Sequence, residues 1–166
     1  AGVDLGVAGR GLGGEGWQDT TFWLVARGDV LFGRDSGRDF GVGPYVDIGT
    51  LAFDEIAIGS GASLLLPVID VLPIVVSLGP YLRVGDDDLG VQPGVQATAF
   101  WGPRSYNHHG TYEMGAGLLI GARHGLGDAR DTAILLGVHL DALALSMPFV
   151  WLAGALAGPS ADAVRI

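Results

Sequence analysis

Few residues in this chain have the types and spacing for chemistry. His139 and Asp141 stand two apart, so in an extended segment they share a face and the carboxylate can orient the imidazole. Ser63 and Ser77 offer hydroxyls, but no spacing brings either to His139. A structural hydrogen-bond pair is the favoured reading of His139 with Asp141. His108, His109, Glu113 and His124 have metal-ligand side chains. An extended segment between the paired histidines and His124 separates them by about 40 Å, and adjacent histidines point to opposite faces. No metal site is expected. Gly85-Asp86-Asp87-Asp88 lacks the spaced carboxylates and closing glutamate of an EF-hand and reads as an acidic turn. Gly9-Arg10-Gly11-Leu12-Gly13-Gly14 lacks the strand–turn–helix setting of a nucleotide loop. Arg27-Gly28-Asp29 falls in mid-strand, not on an exposed adhesive loop. No cofactor is expected.

Composition narrows the class. The 166 residues suit one domain and include 29 glycines, no cysteine and no lysine. Nine arginines against fifteen aspartates and three glutamates give a net charge of -9, which argues against nucleic acid because no row of phosphates could be neutralised. Without cysteine there are no disulfides, thiolate metal sites or cysteine nucleophiles. The chain begins at Ala1 and is read as exported, with its signal peptide removed.

The elements that must position these residues come from a period of two. In Gly41–Gly49, Val42, Pro44, Val46 and Ile48 share one face, opposite Gly41, Gly43, Tyr45, Asp47 and Gly49. Around residue 80 the same split sets Ile74, Val76, Leu78, Pro80 and Leu82 against Ser77, Gly79, Tyr81 and Arg83. Such alternation predicts strands. A membrane-spanning helix over Leu64–Leu82 is disfavoured by Asp70 and by Pro67, Pro73 and Pro80. The template predicts eight strands, near 2–12, 20–33, 39–52, 55–66, 73–84, 92–104, 111–124 and 132–145, separated by glycine- and aspartate-rich turns.

One face of these strands is apolar and uncharged; Leu24, Val46, Ile48, Val76, Leu78, Leu118, Ile120, Leu136 and Val138 belong to it. The other carries glycines, tyrosines and a near-balanced charge set: Asp4, Arg10, Arg27, Asp29, Asp47, Arg83, Glu113, Arg123, His139 and Asp141. Glycine weakens a solvated strand face. In a transmembrane barrel the apolar face meets lipid and the polar face fills the lumen, and an eight-stranded lumen is just wide enough for side chains to fill. The expectation is therefore an all-β, antiparallel up-and-down eight-stranded transmembrane β-barrel over residues 1–145. A short apolar helix and tail over 146–166 follow, with Met147–Ala157 helical.

The alternation, glycine usage and strand count over residues 1–145 resemble the small eight-stranded outer-membrane barrels of Gram-negative bacteria, the outer-membrane-protein A, X and W type. The tail departs from that pattern, which commonly ends on a strand with a terminal aromatic residue. The resemblance implies a location in the bacterial outer membrane and contact with its lipids.

A filled barrel with short connections points to a structural, anchoring subunit of an envelope assembly, with protein partners or further copies of itself, and not to an enzyme. A second reading is a barrel holding a lipid or small apolar ligand, where Trp23, Val25, Leu31 and Leu51 interrupt the polar phase. A third is a lipid-modifying membrane enzyme, a hydrolase or acyltransferase, in which His139 would matter.

Overall fold

The computed structural model describes residues 1–11, 18–69, 72–85, 90–103, 115–128 and 130–157. Its alternating segments form eight strands: β1 (Gly2–Gly11), β2 (Asp19–Asp29), β3 (Gly41–Leu51), β4 (Glu55–Leu66), β5 (Ile74–Gly85), β6 (Val91–Trp101), β7 (Ala116–Gly125) and β8 (Thr132–Asp141). Each pairs antiparallel with the next, and β8 returns to β1, with Asp4 opposite His139 and Leu5 opposite Val138. Closure leaves no unpaired edge, which a sheet in hydrocarbon requires. Ten to twelve residues per strand suit a tilted crossing of a bilayer.

The faces separate as alternation demands. Val46, Ile48, Val76, Leu78, Leu118, Ile120, Leu136 and Val138 are exposed on the outside, and Leu24 is half-buried there. Inside, Ala8, Trp23, Val25, Leu51, Leu119, Ala133 and Leu135 pack as one apolar cluster, while Leu65, Val75 and Phe100 form a second with Leu31 against it. Trp23, Val25 and Leu51 thus spend their apolar surface on one another. Glycines make room for the large side chains: a Cβ on Gly94 would land on the Tyr81 ring.

Two ends of the barrel differ. The near rim carries Ala1, the 30–40 connection and residues 67–69 and 72–73. The far rim carries the tight β3–β4 turn, where Ala52 and Phe53 both hold positive φ (56° and 65°). That turn is fixed by Asp54 N–H donating to the Leu51 carbonyl at 3.1 Å, by Ala52 N–H donating to the Phe22 carbonyl at 2.8 Å, and by the Phe53 ring stacked on Phe22.

β8 stops at Asp141, four residues before the predicted end, and helix α1 (Ala142–Ala157) follows. The physical reason is a cap: the Asp141 carboxylate accepts the Leu143 N–H at 3.0 Å and satisfies an orphan donor of the first turn. β2 ends at Asp29, short of 33, although Phe32 still bridges to Val42. β7 begins at Ala116; the predicted stretch 111–114 lies outside the described residues.

Candidate functional site

Nine of the ten residues predicted for the lumen fall among the described residues, and all nine take the inward phase; Glu113 lies outside them. They form several groups, not one chain of charges. At the far rim, Arg83 Nη1 donates to Glu55 Oε2 at 2.8 Å and to Asp131 Oδ2 at 2.9 Å, while Arg10 Nε donates to Asp131 Oδ2 at 3.1 Å. Deeper in, Arg123 Nε donates to Gln96 Oε1 at 3.1 Å, and Gln96 Nε2 donates to Asp47 Oδ2 at 2.8 Å. The Arg27 guanidinium lies 4.2 Å from the Tyr45 ring centroid and donates to Ser63 Oγ (3.0 Å), Thr98 Oγ1 (3.2 Å) and Ser77 Oγ. Asp29 Oδ2 stands 3.9 Å from Arg27 Nε. Sharing each cation among several acceptors offsets the cost of holding it away from water.

Glu55, Asp131, Gln92 and Gln96 belong to this interior and were not predicted. Glu55 shares the inward phase of Gly59 and Ser63 but sits at the first position of its strand. Asp131 precedes β8 in what the sequence marks as a turn. A search by charge passes over both glutamines.

The hydrolytic pattern is rearranged. His139 does not pair with Asp141; its Nδ1 donates to Asp4 Oδ1 at 2.5 Å, because Asp4 lies directly opposite it in the β1–β8 ladder. Cross-strand neighbours on one face approach more closely than residues two apart along a strand. Ser63 and Ser77 are 2.9 Å from each other and bound to Arg27. All of these groups are buried, so a lipid outside the wall cannot reach them. His108 and His109 lie outside the described residues, and no metal-ligating group of three side chains occurs among the described ones.

The outer wall holds a different arrangement. Along the described strands every ionisable side chain takes the inward phase except His124. His124 is exposed near the end of β7, directly across from Thr132 at the start of β8, and its Nδ1 lies 2.9 Å from Thr132 Oγ1. On the same wall, Ile74, Ala99, Trp101, Leu118, Ile120 and Leu136 line an outward-opening groove of about 460 Å³. The sequence weighed His124 only as a metal ligand; its outward phase on β7 was the available signal.

No protein-family model matches the chain, and no curated protein matches it in sequence. Among solved structures it is similar to the crystal structure of the outer membrane enzyme PagL, with a TM-score of 0.53 and 13% identity over 84% of this chain and 97% of that one. The fold is that of an eight-stranded outer membrane β-barrel. This likeness corrects the expectation that such a barrel is not an enzyme. That expectation rested on a filled lumen and short connections, and the same fold serves an outer membrane enzyme.

Proposed function

We propose that the protein is a lipid-modifying enzyme of the bacterial outer membrane that acts from its outer wall, as an acyl hydrolase or acyltransferase. The observation that carries this reading is the His124–Thr132 pair at 2.9 Å on the lipid-facing phase. An ionisable group facing lipid is costly unless it has a task. A hydroxyl within hydrogen-bond reach of an imidazole is the activated-nucleophile arrangement. With Nδ1 unprotonated, His124 takes the Thr132 hydroxyl proton as Oγ1 attacks an ester carbonyl carbon. The carbon–oxygen bond to the alcohol breaks, and the imidazolium returns the proton to the leaving alkoxide. Water, deprotonated by the same imidazole, then attacks the acyl carbon; the bond to Thr132 Oγ1 breaks, the imidazolium returns the proton to Oγ1, and the carboxylic acid leaves. The groove lined by Trp101, Leu118 and Leu136 lies toward the near rim, with Leu136 four residues along β8 from Thr132, about 13 Å, so a long acyl chain held at Thr132 would run along the wall to reach it.

The test uses protein folded into vesicles of extracted outer-membrane lipid, with fatty acid release or transfer read by mass spectrometry. His124→Gln and Thr132→Val should each lower turnover about 100-fold or more, with the barrel intact. Absence of turnover in the natural sequence, or turnover unchanged in both variants, would overturn the reading and leave an anchoring role.

A further inference from the structure

We infer that α1 is a lipid-embedded anchor: a helix rooted at the near rim after β8 and held within the bilayer hydrocarbon. From Ala142 to Ala157 there is no ionisable residue. Phe149 (73% exposed), Val150, Trp151 (80%) and Leu152 are consecutive, so at about 100° per residue they point to every quarter of the helix, and all four are exposed. A helix lying flat in the headgroup region needs a polar face, and one packed on a protein surface needs a distinct contact stripe. α1 has neither. An environment that is apolar on all sides and continuous with the barrel's lipid-facing wall meets the requirement. Ile134, Leu136, Val138 and Leu140 on the outward phase of β8 lead directly into it.

The polar groups agree. Helical hydrogen bonding satisfies most of the backbone internally, as hydrocarbon demands. Asp141 caps the Leu143 N–H, and the Ser146 hydroxyl donates to the Leu143 carbonyl at 2.8 Å. Sixteen residues at about 1.5 Å each reach about 24 Å, short of the ~30 Å core of a typical bilayer. No helix among the described residues is long and apolar enough to cross a membrane.

The cysteine-free chain allows a direct test. Single cysteines replace Val150, Trp151, Leu152 or Leu156, and Ile120 or Asp35 as lipid and water references. Each is spin-labelled in full-length protein folded into phospholipid vesicles, and collision with oxygen and with a water-soluble nickel chelate is measured. The expected result is an oxygen-to-nickel ratio at all four helix positions equal to or above that at Ile120, and well above that at Asp35. Nickel accessibility like that at Asp35 would place α1 in water and overturn the inference. Exclusion of both reagents along one face would overturn it in favour of a protein contact, with a second copy or another chain. Only labelled proteins that keep the mobility shift of a folded barrel are compared.

Discussion

At the scale of single residues, the interior depends on partners that arrive from other strands. Asp4 holds the His139 imidazole through Nδ1, so Asp4→Leu leaves a buried N–H without an acceptor. A loss of about 2–3 kcal/mol is expected, measured by urea unfolding from vesicles, with Asp4→Asn retaining part of it. Asp141→Ala should leave the imidazole untouched and instead weaken the α1 cap by about 1 kcal/mol. In the near-rim connection, Asp39 accepts the N–H groups of Asp35 at 3.0 Å and Ser36 at 2.7 Å. These backbone hydrogen bonds hold its carboxyl below the usual carboxylate range. A group depressed in the folded state contributes stability above its ordinary unfolded pKa and loses it as pH falls through the folded value. The protection of the Asp35 and Ser36 amides, taken relative to the intrinsic exchange rate at each pH, should therefore hold near neutrality and be lost only in acid below the ordinary aspartate range. Asp39→Asn should remove that pH dependence; a profile unchanged in the variant would contradict the assignment. The charged side chains themselves were legible in the sequence because charge is conspicuous against an apolar alternation. Their pairings were not, since Asp4 and His139 meet only through closure of β8 onto β1.

At the scale of elements, strand alternation carried nearly all the information: it marks where each strand runs and which side chains share a face. It misled at the last strand. Ala142-Leu143-Ala144-Leu145 alternates as a strand does, but α1 already starts there. The deciding signal is local, an aspartate in the N-cap position before a run of good helix formers. The β3–β4 turn poses the opposite case. Ala52 occupies a left-handed conformation that ordinary side chains rarely adopt, and a strained backbone of this kind costs on the order of 1 kcal/mol. Ala52→Asn, a residue that tolerates this region, should stabilise the barrel by up to about 1 kcal/mol, read as a shifted urea midpoint with unchanged slope. Phe53→Ala should act the other way, because the ring stacks on Phe22 at 5.8 Å. Gly94→Leu is expected to be severe. The added side chain meets the Tyr81 ring, and Tyr81 cannot move aside without displacing the Arg123 guanidinium 5.4 Å from its ring centroid. Failure to fold into vesicles under conditions where the natural sequence folds is the expected outcome.

At the scale of the whole molecule, one inversion governs everything: apolar groups outside, paired charges and glycine-bounded aromatics inside. Glu55, Arg83, Asp131 and Arg10 join four separate segments across the far rim, and Leu65, Val75 and Phe100 with Leu31 fill another part of the lumen. A bilayer containing the purified protein should consequently carry no steady ohmic current, and open-channel conductance would contradict a filled lumen. This inversion was visible in the sequence, because glycine and arginine–aspartate sets make no sense as a solvated strand face. The His124–Thr132 pair was not visible, since a single histidine on β7 gains meaning only when register sets a hydroxyl across from it. The most direct test of the closed membrane barrel is its mobility on a gel, taken from detergent-extracted outer membranes with and without boiling. A closed barrel stays compact unboiled and runs ahead of its boiled form, and that shift is the predicted result. Protein that is soluble without detergent and migrates identically in both lanes would contradict the account.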